Sequence, residues 1–226
     1  MTGAQIEMPF ERPTPLACVV GLQRRVMWPV AEAQAGAPAG ARFLTDYQGG
    51  RHRLILWRRW GDGEHVHWLM LNPSTADASA NDATLDRITQ HTKRWGYDGL
   101  TVTNLYSFCA TKPADMWAWD RDGGHITQPE TDDWTERAAN AAALTICAWG
   151  ANGDLGRAED VLHHVPRPHS LGCQSGPLLT ADGHPVHPLT RRHRTATCTP
   201  VSWTPDSNPT SSTPPSTPAP TRTART

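Results

Sequence analysis

Short apolar runs alternate with amphipathic segments through the middle of this chain. Period-two or continuous apolar patterns predict strands at 53–60, 66–71, 100–106, 143–150 and 169–172. Apolar residues spaced three or four apart predict helices near 85–95, 113–119, 132–142 and 156–164. The Gly-rich turn 61–63 is expected to join the first two strands as a hairpin.

The order of strand, helix and strand favours right-handed parallel crossovers. It predicts an α/β fold, specifically a three-layer α/β/α sandwich with a mostly parallel central sheet. The segments 66–71, 100–104 and 144–148 are each apolar and each precede a helix. We therefore expect them to be neighbouring central strands whose polar ends face the same side.

Composition divides the chain into three parts. Residues 1–41 contain prolines and an Ala/Gly stretch, and they are expected to form a poorly ordered extension. Residues 42–190 are expected to form a single α/β domain. Residues 191–226 are rich in Pro, Ser and Thr, and such a tail buries too little apolar surface to offset its ordering entropy. Its removal beyond Arg194 is therefore expected to leave stability unchanged.

Charge and cysteine content narrow the class of protein. The 226 residues carry a formal net charge of −1, so nucleic acid would have to be bound by a local patch. Five cysteines without CxxC spacing indicate reduced thiols, as is usual in the cytoplasm. No apolar run reaches the length of a membrane span, and no signal pattern begins the chain.

Common cofactor and metal motifs are not found in the sequence. It contains no P-loop, GxGxxG, GxSxG or HExxH pattern, and no cofactor is predicted. Asp77, Asp82 and Asp86 fit no complete calcium-loop spacing, and acidic residues near a helix start stabilise its dipole. No metal site is predicted either.

Polar side chains follow the predicted central strands where each strand ends. Asn72 and Ser74 follow the segment 66–71, Asn104 and Tyr106 end the segment 100–106, and His187 lies in the loop after the last strand. In a parallel sheet these positions meet at one edge. An asparagine amide can pair with the edge of a nucleobase, and a histidine can donate to developing negative charge. Asn-Pro pairs are also common turn residues, so a purely structural role stays open.

Several segments resemble, in consistent order, the bacterial and phage family called domain of unknown function 1643. They lie between about Arg42 and Leu189, at 71–77, 94–97, 102–106, 148–150 and 183–189. The family has no settled activity. The resemblance therefore implies a fold and a site rather than a reaction.

A more distant similarity is to the uracil-DNA glycosylase superfamily, which has Asn-Pro or Asp-Pro after a first core strand, a later Asn, and a C-terminal His-Pro-Ser. By this resemblance, Asn72 would position the attacking water, Asn104 would read the base, and His187 would stabilise the departing base anion. Leu71 and Leu189 depart from the superfamily pattern, which has Gly and a small residue at those points.

These observations lead to one leading hypothesis and two alternatives. The leading one is binding, with hydrolysis as a further step, of a nucleobase in DNA or a nucleotide; Asn72, Asp77 and His187 are the catalytic candidates. Ser74, Asn104 and Tyr106 are the substrate-binding candidates. One alternative is a non-catalytic nucleotide- or nucleic-acid-binding module of phage or mobile-element origin. The other is a small-molecule hydrolase with Asp77 as general base.

Overall fold

The computed structural model describes residues 26–47, 50–74, 76–191 and 198–205. This part of the chain forms a mixed α/β fold with one eight-stranded sheet and five helices. In chain order the elements are α1 (Ala31–Gln34), β1 (Ala39–Tyr47), β2 (Gly50–Arg59), β3 (His65–Met70), α2 (Ala83–Arg94), β4 (Gly99–Asn104), α3 (Pro113–Arg121), α4 (Glu130–Ala141), β5 (Leu144–Cys147), α5 (Leu155–Leu162), β6 (Pro168–Cys173), β7 (Gly176–Pro177) and β8 (Thr199–Ser202).

The centre of the sheet is parallel, and its flanks are antiparallel. The strand order is β1-β2-β4-β3-β5-β6-β7, with β8 also paired to β6. Strands β4, β3, β5 and β6 pair in parallel, whereas the pairs β1–β2, β2–β4, β6–β7 and β6–β8 are antiparallel. The predicted neighbours β4, β3 and β5 are confirmed. The prediction of a mostly parallel sheet is wrong. Strands β1–β2 and β6–β7 are joined by short connections and so must run antiparallel, and the pairs β2–β4 and β6–β8 are antiparallel as well.

The predicted hairpin between β2 and β3 is also wrong. Strand β4 lies between them, and β2 instead pairs with β1. The Gly-rich turn wraps around the start of β4, where the Asp98 carboxylate accepts a hydrogen bond from the Gly63 backbone N–H at 2.7 Å. Strand β3 is buried along its whole length and has a parallel partner on each side, as a central apolar strand requires.

Part of the expected N-terminal extension is packed into the fold. Trp28, Val30 and Ala33 are buried and form a cluster with Ile55 and Trp57 of β2. The expectation that order begins near residue 41 is therefore wrong for residues 26–41, while residues 1–25 lie outside the described part. Three apolar side chains in a short segment are too few to show a period in the sequence.

The C-terminal segment is the second packed region that composition did not reveal. Strand β8 extends the sheet beyond β6, and Trp203 is 2% exposed. The Trp203 ring meets Trp149 edge to face at 5.6 Å between centroids. The prediction that 191–226 is uniformly disordered is therefore wrong for 198–205, because one tryptophan and one edge strand bury enough surface. Residues 192–197 and 206–226 lie outside the described part.

Helices cover side chains from both faces of the sheet. Trp68 and Met70 of β3 belong to a core cluster with Leu85 and Ile88 of α2. Leu69 points the other way along the strand, into a cluster that includes side chains of α3, α4 and α5. In the described residues, no helix is both long and apolar enough to cross a membrane.

Replacing Trp203 tests whether the C-terminal segment belongs to the core. We expect Trp203→Ala to lower the free energy of unfolding by about 3–5 kcal/mol, because it removes a buried ring that Trp149 contacts. Denaturation in urea measures the change. The control is Ser202→Ala at the exposed neighbouring position, which should alter stability by less than about 0.5 kcal/mol. Equal midpoints for the two variants would contradict the docking of Trp203.

Candidate ligand-binding site

A cavity of about 530 Å³ lies where the carboxyl ends of β3, β4 and β5 meet the start of α2. Its walls are apolar in large part, formed by Leu56, Met70, Leu85, Ile88, Val102 and Trp149. Its charged and most polar lining residues are Arg53, Asn72, Ser74, Asp82, Asn104, Asn152 and His187. Four of the six residues predicted from the sequence therefore share one cavity: Asn72, Ser74, Asn104 and His187.

Asn104 ends β4 and is 2% exposed. Its Oδ1 accepts a hydrogen bond from Nη2 of Arg53 at 3.2 Å. A guanidinium can only donate, so this contact fixes which end of the amide faces Arg53. The other end, Nδ2, is buried and has no hydrogen-bond partner. An unpaired buried donor costs about 1–3 kcal/mol, which an acceptor on a ligand would recover.

Arg53 is the site residue that sequence reasoning missed. Strict alternation along β2 would place it on the same side as Ile55, which packs in the cluster of Trp28. The pairing of β2 with β1 skips Leu54, and this irregularity moves Arg53 to the side of Leu56, which lines the cavity. The available signal was weak, because Arg53 is one of four arginines in β2 and only the apolar run that follows it, at 54–57, sets it apart.

The Arg53 guanidinium is buried without a carboxylate partner. The side chain is 5% exposed; Nη1 donates to the Ala76 carbonyl at 3.0 Å, and Nε has no partner. Among the described residues, no carboxylate lies within 4.0 Å of its nitrogens. Burial lowers the pKa of Arg53 to about 10, so the group keeps its positive charge at neutral pH.

His187 presents a hydrogen-bond donor at the cavity. The Leu189 backbone N–H donates to its Nδ1 at 3.2 Å, so the proton of the neutral ring is on Nε2. Burial lowers the pKa of His187, and Asp82 opposes that shift in part. The ring is therefore neutral at pH 7 and has an N–H to offer a ligand.

The backbone at the end of β5 holds the His187 loop in place. Gly150 has φ +76°, and its N–H donates to the Pro185 carbonyl at 2.9 Å. A Cβ on Gly150 would come within 3.1 Å of the His187 Cβ. Glycine is required here both by the left-handed backbone and by the close approach of the loop.

Asn72 is held by its amide nitrogen. Nδ2 donates to the carbonyls of Ala110 at 2.8 Å and Pro73 at 3.0 Å. The Oδ1 atom takes no part in these contacts and stays available as an acceptor. Ser74 lines the same cavity and is half-buried, whereas Thr75 lies outside the described part.

Asp77 and Tyr106 do not line the cavity, so two of the six residues predicted for the site lie outside it. The Asp77 carboxylate accepts from the N–H groups of Ser79 and Ala80, both at 2.8 Å, and these bonds lower its pKa. The Asp77 carboxylate therefore closes a turn.

Tyr106 is buried edge to face against Trp117 at 5.1 Å, and burial raises its pKa to about 12. Strand β4 ends at Asn104, so alternation no longer places Tyr106 beside it.

Asp82 is a cavity residue that also caps a helix. Its Oδ1 accepts from the Leu85 N–H at 2.8 Å at the start of α2. In the described part of the chain, no group of three or more His, Cys, Asp or Glu side chains is placed to hold a metal ion.

The fold is a mixed α/β fold with a cavity at the ends of its central strands. The chain belongs to the family described as "Protein of unknown function (DUF1643)", which matches residues 53–189. That range begins at Arg53 and includes Asn72, Asn104 and His187. No curated protein and no solved structure matches the chain.

A pair of glycine substitutions tests how the His187 loop is held. Gly150→Ala and Gly123→Ala both place a side chain at positive φ, but nothing lies within 4 Å of a Cβ at Gly123. We expect Gly123→Ala to cost about 1–2 kcal/mol and Gly150→Ala about 2–4 kcal/mol in free energy of unfolding. Only Gly150→Ala should shift the His187 ring signals in NMR spectra. Equal losses with unchanged His187 signals would show that Gly150 does not position the loop.

Proposed function

We propose that the cavity binds a nucleobase, free or within a nucleotide or single-stranded DNA, through the carbonyl oxygens of the base. The observation that carries the proposal is the buried Nδ2 of Asn104, a donor without a partner in a cavity wall. Arg53 fixes the orientation of this amide before any ligand arrives. A carbonyl oxygen beside Nδ2 would supply the missing acceptor.

The shape and polarity of the cavity support a flat ring of this kind. Its volume of about 530 Å³ is typical of small-molecule sites, and apolar side chains such as Met70, Ile88 and Val102 suit the faces of a ring. Arg53, which lies beside Asn104, can likewise only donate, and its Nε has no partner. A base with an amino group in place of the carbonyl would bring N–H against N–H, so keto bases such as uracil, thymine and hypoxanthine should bind better than cytosine or adenine.

The three-layer arrangement belongs to this proposal. Two packing clusters support it. Side chains of α2 pack with Trp68 and Met70, and side chains of α3, α4 and α5 pack with Leu69, which points to the other face of the sheet. The cavity would then lie between the sheet and the α2 layer, at the strand ends where α/β proteins bind ligands. We also propose that residues 42–190 form a single domain, which the packed segments 26–41 and 198–205 extend.

Exchanging the Asn104 amide for a carboxylate tests base recognition. Asn104→Asp replaces the free donor by an acceptor, and we expect binding of uracil, uridine or a uracil oligonucleotide to weaken by about 2–4 kcal/mol. Arg53 lies beside the new carboxylate and can pair with it, so folding should be retained. The control is Asn140→Asp, the same change at an exposed position of α4. Calorimetric titration and thermal melting of both variants give affinity and stability.

Unchanged affinity in a folded Asn104→Asp variant would remove Asn104 from the site. Preference of the wild type for adenine, which has no carbonyl oxygen, over uracil would contradict recognition through the carbonyl oxygen. Failure of every base, nucleoside and oligonucleotide to bind would overturn the proposal as a whole.

Hydrolysis of the bond between base and sugar is a second candidate, favoured by the placement of Asn72 and His187 on the same cavity. The Asn72 Oδ1 can accept a hydrogen bond from water, and the His187 Nε2–H can donate to a base oxygen as the base leaves with the bonding electrons. Water would then form the new C–O bond at the sugar, and the proton that it loses would pass through solvent to the departed base anion. Asp77 is committed to its turn, which disfavours the alternative in which it acts as general base.

Asn72→Ala separates hydrolysis from binding alone. If Asn72 orients water, the variant should lose at least about 100-fold in the rate of abasic-site formation on oligonucleotides carrying uracil or hypoxanthine. Binding of free uracil should persist, and stability should fall by about 1 kcal/mol through loss of the bond to Ala110. Wild-type protein that binds the base and forms no abasic sites would favour the non-catalytic binding module.

A further inference from the structure

We propose that Arg53 makes this cavity selective for a keto base that carries negative charge. The charge is on the ring itself after loss of an N–H proton, or on a carboxylate attached to the ring. This inference rests on the proposed function, because it names the class of base that the cavity takes. Arg53 acts as the group that binds the anion.

The cavity wall contains an unbalanced positive charge, that of Arg53. Arg53 is 5% exposed, and its two hydrogen bonds go to neutral oxygens, the Ala76 carbonyl and the Asn104 amide. A buried charge is expensive unless an opposite charge faces it, and in the described part of the chain no carboxylate reaches Arg53. An anionic ligand would supply that charge.

The charged groups near Arg53 do not neutralise its positive charge. Arg51 and Arg58 add positive charge near Arg53, whereas Asp82 and the Cys109 thiol act in the opposite sense. The Asp82 carboxylate is already stabilised at the start of α2, where it accepts from a backbone N–H and faces the positive end of the helix dipole. The imidazole of His187, the remaining titratable group on the cavity, is neutral at pH 7 and offers an N–H.

An irregularity in the pairing of β2 with β1 turns Arg53 toward the cavity. Its position depends on the irregular pairing at Leu54, without which the guanidinium would point toward the cluster of Trp28. A bulge that re-aims one side chain is common beside binding sites. The purely structural alternative is that Arg53 only ties the Ala76 segment to β4, and it predicts no dependence of binding on ligand charge.

The chemistry of the bound anion is simple. Loss of the ring N–H proton to solvent leaves the electron pair shared between the ring nitrogen and the adjacent carbonyl oxygens. Those oxygens then carry the negative charge beside the donors of Arg53 and Asn104. In a base with an attached carboxylate, the ring stays neutral and the carboxylate faces Arg53 instead.

Calorimetric titration of the full chain at pH 7 to 9 decides between charged and neutral ligands. The probes are uracil, 5-fluorouracil, whose ring N–H is more acidic, and orotate, which carries a ring carboxylate. If the ring anion binds, affinity for 5-fluorouracil rises by about tenfold per pH unit below the pKa of the ring and then levels. If the neutral ring binds, affinity is constant at low pH and falls above that pKa. Arg53 stays charged and His187 stays neutral over this range.

Two substitutions assign the effect to Arg53. With Arg53→Gln, we expect the preference for the charged probe over uracil to fall by about tenfold or more, while uracil itself still binds. Arg53→Lys keeps the positive charge and should restore much of the preference. If Arg53→Gln does not fold, the wild-type pH profile alone decides.

Each outcome has one meaning. Tight binding of orotate with a neutral-ring profile for 5-fluorouracil supports the attached carboxylate, and the rising profile supports the ring anion. Equal affinities for all three probes, or a preference for uracil, overturn the inference and leave the proposed function standing. If none of the bases binds, the proposed function fails, and the inference fails with it.

Discussion

The hydrogen bond from Arg53 to the Oδ1 of Asn104 is the contact on which the candidate site depends. It joins β2 to the end of β4, and the same guanidinium holds the Ala76 segment that follows β3. It also decides the chemistry of the cavity wall, because an amide that accepts from arginine must turn its nitrogen elsewhere. A buried cation and a buried unpaired donor are each unfavourable alone. Under the proposed function, one ligand that carries acceptor oxygens and negative charge would satisfy both.

Mixed strand direction is what brings these two residues together. Asn104 is at the carboxyl end of β4, where a parallel sheet gathers its polar residues. Arg53 is near the beginning of its strand, and in a parallel sheet it would lie at the opposite edge. Because β2 runs antiparallel to β4, the beginning of one strand lies beside the end of the other. The antiparallel flank thus contributes a charge that the parallel centre could not have supplied at this edge.

The parts of the site that could be predicted from the sequence follow from local patterns. Asn72 and Ser74 follow the end of β3, Asn104 ends β4, and His187 lies in a loop after the last central strand. Because the carboxyl ends of parallel strands meet at one edge of a sheet, these residues reach one cavity. Asp77 was predicted to be a site residue but closes a turn. An acidic side chain two residues before a serine gives the same sequence pattern in either role. Arg53 required the Leu54 irregularity and the direction of β2, both of which depend on long-range pairing. Trp28 and Trp203 were missed for the same reason, since each packs against residues far away in sequence.

The hydrogen-bonding groups of the cavity are oriented by their neighbours in the fold, and this bears on how the proposed site would bind. Arg53 orients the Asn104 amide, the Leu189 N–H selects the tautomer of His187, and carbonyl oxygens hold the Asn72 amide nitrogen. Each constraint exists without a ligand, so binding need not reorient these groups, and the free-energy cost of ordering them falls on folding. Under the proposed function, the donors of Arg53, Asn104 and His187 would favour an acceptor-rich or anionic ring over a neutral one, because donors interact most strongly with the ligand that carries the most negative oxygens. Met70, Ile88 and Val102 line the same cavity with apolar side chains. Hydrogen bonds are electrostatically stronger in such surroundings than in water, which would strengthen that discrimination.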